Sequence, residues 1–208
     1  MRELRFALVG DGPSDRRLLP IVTWLLQQHS SRLIASTWAD LSVLPVRPRS
    51  LEERIRQAVE LYPADLLFVH RDAEGETYDK RIEEIRKACP ETLQSQVVPV
   101  VPIRMQEAWL LISEPAIRSA AGNPRGRVKL SLPPRASLEA LPDPKETLYG
   151  ALRAASELSG RHLSRFNVAA AAYRVSELIQ DYSELRTLKA FVAFEKSAVD
   201  ALRHHDLI

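Results

Sequence analysis

Leu66-Leu67-Phe68-Val69 is apolar at four successive positions. A strand built from it turns hydrophobic side chains to both faces of its pleat. Such a strand needs a layer over each face, which is the situation of a central strand in a parallel sheet. The neighbouring segments fit that constraint. Leu4 to Val9 is a short apolar run that enters a Gly-Pro-Asp turn at Gly10 to Asp15, and it predicts a first strand. Ser14 is placed to cap a helix whose apolar stripe is Leu18, Ile21, Val22, Leu25 and Leu26, with Pro20 expected to bend its first turns.

A second strand is expected at Leu41 to Val46, followed by a helix opened by Ser50 and Glu53. These two residues form an S-x-x-E capping box, in which each satisfies an otherwise unpaired backbone N–H. After the third strand comes a charged helix with Ile82, Ile85 and Cys89 inward, and then a fourth strand at Val97 to Ile103. Pro99 and Pro102 donate no ladder hydrogen bonds, so this strand belongs at an edge or is irregular. Strand and helix in alternation require parallel strands joined by crossovers. The expected fold is therefore an α/β three-layer sandwich with a mostly parallel central sheet over residues 1–121.

From 122 to 144 the composition changes to a Pro-rich basic loop, with Pro124, Pro133, Pro134, Pro142 and Pro144 breaking regular structure. Residues 145–208 read as a helical region packed on the sheet domain, with helices expected at Lys145 to Ser159, Ser164 to Gln180 and Ser183 to Leu202. The chain has 208 residues, enough for one main core with an appended helical part. Lys+Arg 29 against Asp+Glu 27 leaves a net charge of +2, so any basic surface must come from segregation of charge. A single cysteine, Cys89, excludes an internal disulfide and a zinc site built on thiolates of this chain. The N-terminal apolar run is broken by Gly10 and Asp11, unlike a secretory leader, and no stretch approaches a membrane span. The expectation is a soluble cytoplasmic protein without a membrane partner.

In an open parallel sheet, ligands bind beyond the carboxyl ends of the strands. The first strand ends in Gly10-Asp11-Gly12-Pro13-Ser14-Asp15, the third in His70-Arg71-Asp72-Ala73-Glu74, and the fourth runs into Gln106-Glu107-Ala108-Trp109. Each piece alone has an ordinary reading: a turn with a helix cap, a solvated turn, an acid complementing a helix dipole. Together, Asp11, Asp15, Asp72, Glu74 and Glu107 would crowd negative charge at one edge, which a bound cation relieves. Hard oxygen ligands favour Mg²⁺ or Mn²⁺ over zinc. Residues two apart in an extended strand end point the same way, so Asp72 and Glu74 are expected to reach one ion. A metal held by carboxylates polarises phosphate oxygens and activates water.

An acid-Gly-Pro-Ser-acid turn after a strand, a later hydrophobic strand ending Asp-x-Glu, and a Glu-Ala-Trp segment resemble the Toprim (topoisomerase-primase) fold. The likeness is to a compact bacterial Toprim-like family related to the overcoming-lysogenization-defect nucleases. It extends over most of the chain, including Pro144-Lys145 before the C-terminal helices. The resemblance implies metal binding by Asp72 and Glu74 with help from Asp15 and Glu107. It also implies a ligand or acid/base role for Asp11, and a Mg²⁺-dependent nuclease acting as a phage-defence or toxin-like effector. Asp11 stands where Toprim proteins usually carry glutamate, and Glu74 where they carry aspartate. Both departures alter the reach of a carboxylate by one methylene and favour the alternative: a non-catalytic module that binds a metal, a nucleotide or a partner protein.

Arg125, Arg127, Lys129 and Arg135 in the loop, Arg161, His162 and Arg165 beyond it, and Lys145 are candidate phosphate contacts, against the plainer reading of solvated surface charge. His70-Arg71-Asp72 is not a kinase catalytic loop, because the downstream Asn and a Gly-rich loop are missing, and no P-loop motif occurs. A receiver-like phosphoacceptor would need a lysine after a fifth strand that cannot be placed. Trp24 and Trp38 read as core or interface, Trp109 as a brace for the site, and His204-His205 as a frayed terminus. Nucleic acid is the expected partner, a protein partner in a defence system and a homo-oligomer being compatible with the same reading.

Overall fold

The computed structural model describes residues 3–208. Four parallel strands, β1 (Leu4–Val9), β2 (Ile34–Trp38), β3 (Leu66–His70) and β4 (Val97–Val100), form one sheet in the order β2-β1-β3-β4. Leu8 stands beside Trp38 on one side and Phe68 on the other, and Phe68 beside Val98. The faces of the two central strands divide cleanly. Leu4, Phe6, Leu8, Leu66 and Phe68 enter one core, whereas Ala7, Val9, Leu67 and Val69 enter a second. All five residues of β3 are buried, as its two-sided apolar run requires.

Helix α1 (Leu18–His29) covers the first face, and α2 (Leu51–Leu61) and α3 (Tyr78–Ala88) cover the second through Ile55, Ala58 and Ile85. This split follows from connection geometry. The chain moves from β1 outward to β2, then returns past β1 to β3. Crossovers of one hand therefore put α1 and α2 on opposite faces. The reversal leaves a switch point between β1 and β3, where an α/β sheet opens to a ligand.

Beyond the sheet lie α4 (Glu114–Ala120), α5 (Pro144–Ser156), the short α6 (Gly160–Ser164), α7 (Val168–Leu178) and α8 (Lys189–His204). Leu148, Leu152, Val175, Phe191, Phe194 and Leu202 share the first core with the sheet, so the C-terminal helices extend the same hydrophobic body. Trp109 is 1% exposed and meets Phe191 edge-on at 5.3 Å and Phe194 stacked at 5.9 Å. Among the described residues no helix is long and apolar enough to cross a membrane.

Several expectations are corrected. The second strand is Ile34–Trp38, and Leu41 to Val46 is not a strand: Asp40 accepts from the backbone N–H of Ser42 and caps a short turn at Leu41–Val43. Pro45 and the exposure of Val43 and Val46 explain why that apolar run pairs with nothing. Ile34–Trp38 carries little hydrophobic signal, because an edge strand leaves its residues partly or fully exposed. Ser14 does not cap a long helix, since Pro13–Arg17 forms a tight turn and α1 starts at Leu18. Pro20 then falls in the first turn of α1, where its missing N–H costs nothing. β4 stops at Val100, and it is an edge strand as Pro99 requires. Arg135–Ala140 forms a turn with Leu138 fully buried inside the Pro-rich segment. His204 ends α8 in edge-on contact with His205, whose Nε2 lies 2.9 Å from the carbonyl oxygen of Ser95, so this terminus is anchored.

Candidate functional site

The turn after β1 is organised by Asp15. Its carboxylate accepts the backbone N–H of Asp11 at 2.8 Å and of Gly12 at 3.2 Å, the Ser14 hydroxyl at 3.0 Å, and Gln106 Nε2 at 2.7 Å. Asp15 is only 5% exposed, and four donors make its burial tolerable. Gly10 is required by the same fold-back: a Cβ there would stand 2.4 Å from Asp15 Oδ2.

The turn after β3 is laced to the segment after β4. Ala73 N–H donates to the Pro102 carbonyl, Glu74 N–H to the Arg104 carbonyl, and Gln106 N–H to Asp72 Oδ1 at 2.8 Å. Glu74 and Arg104 both take left-handed φ values, 53° and 66°, an unfavourable conformation for residues with a Cβ. The extended alternation expected of Asp72 and Glu74 therefore does not hold. β3 ends at His70, the chain turns, and Glu74 swings outward until its carboxylate is 3.7 Å from Arg81.

His70 is 2% exposed, and its Nδ1 lies 3.0 Å from the carbonyl oxygen of Val100. A carbonyl only accepts, so Nδ1 carries the hydrogen and Nε2 is left facing the carboxylates. Nε2 lies 3.4 Å from Asp72 Oδ1 and 4.0 Å from Asp15 Oδ2. Burial pushes the Asp72 carboxyl up to about 7, opposed by His70 and reinforced by the negative charges of Glu107 and Asp15. Asp15, Asp72 and Glu107, which follow three different strands, therefore stand near enough for two of the charges to act on the third.

Their partners differ from expectation. Glu107 is buried in the turn Gln106–Leu110 and bonded to Arg17 Nη1 at 2.6 Å, so it lies beneath the crevice as half of an internal ion pair. Asp11 is held through one oxygen by Arg54 and through the other by Arg71 Nε at 3.2 Å. Asp11, Ser14, Asp15, Asp72 and Glu74 line one crevice of about 330 Å³ with Arg71 and Arg81 on its wall. A larger recess, of about 700 Å³, between α3, β4 and α8 takes in Cys89 and His204 but none of the strand-end acids.

Arg125, Arg127, Lys129, Lys145, Arg161 and Arg165 are exposed and do not line the acidic crevice. Glu157 at the end of α5 pins the loop by accepting the backbone N–H of Arg127 and Val128, and Lys145 lies 5.9 Å from the Tyr149 ring centre. Arg135 pairs with Glu184. Sequence reasoning missed Arg17, Arg54, Arg71, Arg81 and Gln106. Arginines scattered over two helices, a turn and a loop carry no local signal, and only the folded chain aims them at the acids.

Among the described residues, no three His, Cys, Asp or Glu side chains stand ready-grouped around a metal position. The donors nevertheless fit Mg²⁺ in type. That ion is held by one or two carboxylates, keeping water and substrate phosphate for its other positions. Asp72 has the carboxylate most open to such an ion, since Gln106 N–H takes only one of its oxygens, and Asp11 could join it only by releasing Arg54 or Arg71, whereas buried Asp15 and Glu107 are committed to protein donors. Comparison of the chain with protein-family models, with curated proteins and with solved structures finds no match in any of the three.

Proposed function

We propose that this chain is a Mg²⁺-dependent (or Mn²⁺-dependent) Toprim-like phosphodiesterase that acts on nucleic acid in the cytoplasm, as an effector of a phage-defence or toxin-like system. The observation that carries the reading is a shared crevice. Carboxylates from the ends of β1 and β3 meet at the switch point of the sheet, with Arg71 and Arg81 on the same wall. Carboxylates suit a divalent cation and guanidinium groups suit a phosphate.

When bound, the ion supplies charge stabilisation at the phosphate and lowers the pKa of water. The chain supplies the rest. Asp72 and Asp11 hold the ion's position, and Asp15 fixes the turn that presents Asp11. His70 Nε2 faces Asp72 Oδ1 at 3.4 Å from the floor of the crevice. Arg71 and Arg81 orient the phosphate oxygens.

Cleavage of single- and double-stranded DNA and RNA in Mg²⁺ or Mn²⁺ tests this. Wild-type protein is expected to cleave at least one of them, and Asp72→Ala to lose about a hundredfold, the usual scale for an electrostatic catalytic group. Undiminished metal-dependent cleavage by Asp72→Ala excludes the arrangement.

The double hold on Asp11 by Arg54 and Arg71 favours a second reading, a non-catalytic Toprim-like module that binds a metal, nucleotide or partner. Tight Mn²⁺ binding by calorimetry with no cleavage of any nucleic acid would select it.

A further inference from the structure

A second recess opens beside the acidic crevice and shares Asp11 and Gly12 with it. It measures about 380 Å³, within the range of small-ligand sites. Pro13, Trp38, Leu41 and Pro48 contribute to its walls, and Arg47 and Arg54 stand at its edge. The segment between β2 and α2 that frames it is unusually apolar for a surface, with Val43 69% and Val46 73% exposed. Arg16, Arg47 and Arg49 are exposed, and among the described residues no acid side chain pairs with them. The nearby acids are already engaged. Asp40 accepts the Ser42 N–H and hydroxyl, Glu53 accepts the backbone N–H groups of Arg49 and Ser50, and Asp11 is held by Arg54 and Arg71.

Apolar walls with Arg47 at the rim and, among the described residues, no ion-pair partner on it, and with Arg16 and Arg49 exposed outside the lining, suit a ligand with a flat apolar face and flanking negative charge. We propose that this recess receives an unpaired base of a single-stranded nucleic acid, while Arg16, Arg47 and Arg49 hold the phosphates on either side. The inference rests on the phosphodiesterase reading of the adjoining crevice, because the shared wall of Asp11 and Gly12 would set the base next to the phosphate handled there. A base inside a duplex reaches such a recess only by leaving its stack, so single strands are preferred. Loop 123–135, though richer in basic residues, flanks neither recess.

The test is fluorescence anisotropy in EDTA, with labelled single-stranded DNA and RNA of about 12 nucleotides and their duplexes, a length suited to single-strand grooves. Single strands of one or both kinds are expected to bind about tenfold more tightly than duplex. Arg47→Ala/Arg49→Ala should weaken single-strand binding about tenfold and flatten the slope of log K against log salt by about 1.4, the value for two lost contacts. Lys87→Ala/Arg203→Ala, a charge-matched change elsewhere, should leave affinity unchanged. Gly12 is extended, with φ −161°, and a Cβ there meets nothing within 4 Å. Gly12→Phe should therefore fold normally and weaken single-strand binding without changing the salt slope.

Duplex binding equal to single-strand binding would overturn the inference. So would a loss confined to Arg125→Ala/Arg127→Ala/Lys129→Ala with Arg47→Ala/Arg49→Ala unaffected. Because no metal is present, single-strand binding without later cleavage in Mg²⁺ removes the phosphodiesterase reading and leaves this one. Cleavage without strand preference does the reverse.

Discussion

Gln106 and Asp15 are 91 residues apart in the chain, yet Gln106 Nε2 donates to Asp15 Oδ1 at 2.7 Å, and the Gln106 backbone N–H donates to Asp72. One residue after β4 thus ties together the acidic turns that follow β1 and β3. Asp15→Ala would leave two backbone N–H groups and the Gln106 amide without their acceptor. It is expected to cost about 3 kcal/mol in urea unfolding, the scale for hydrogen bonds to a buried charge. A change below about 0.5 kcal/mol, the range of ordinary surface substitutions, would mean that Asp15 does not organise the turn.

Gly10→Ala tests the same turn by volume. The added Cβ collides with Asp15 Oδ2. A loss of about 1–3 kcal/mol is expected, as for overpacking a closed site. Full stability in the alanine variant would show that Asp15 does not fold back as described.

The buried pair Arg17–Glu107 should behave as a unit, each side chain being 6% exposed. Arg17→Met alone strands a buried carboxylate and is expected to cost about 3–5 kcal/mol. Arg17→Met/Glu107→Leu removes both charges and should recover most of that loss. Additive losses in the double variant would contradict an internal ion pair.

Asp72 links stability to pH. Its carboxyl is raised to about 7 in the folded chain, from an ordinary value near 3.8. Between those values the unfolded chain releases the proton while the folded chain retains it. The contribution of Asp72 is therefore intact at low pH and lost as pH rises through about 7. The full span amounts to about 4 kcal/mol at most. Asp72→Asn keeps the acceptor for Gln106 N–H, so it should leave stability near pH 3.5 unchanged and raise it by about 2–4 kcal/mol near pH 8. Equal effects at both pH values would refute the raised carboxyl. Added Mg²⁺ should raise the melting temperature of wild type and not of the variant.

The frame of the fold is legible in the sequence because burial on both faces leaves a continuous apolar run, as at Leu66 to Val69. The Ser50–Glu53 capping box forms as its residues dictate, with Glu53 N–H donating to Ser50 Oγ. Ile34–Trp38 was hidden because an edge strand faces solvent, and Leu41 to Val46 misled because apolar content without pairing reads like a strand. The strand-end acids were visible as Gly-Pro-Asp turns after apolar runs. What they touch was not. Arg17, Arg54, Arg71 and Arg81 reach them across sequence distances that no local motif records, and the left-handed residue of the turn after β3 is Glu74 and not the neighbouring Gly75.

The most direct measurement is the anomalous difference map of a crystal soaked in Mn²⁺. A peak is expected in the crevice between the β1 and β3 ends, within coordination distance of an Asp72 oxygen and joined by Asp11 once it lets go of Arg71. Manganese bound only elsewhere, with Asp11 still held by Arg54 and Arg71, would contradict that expectation.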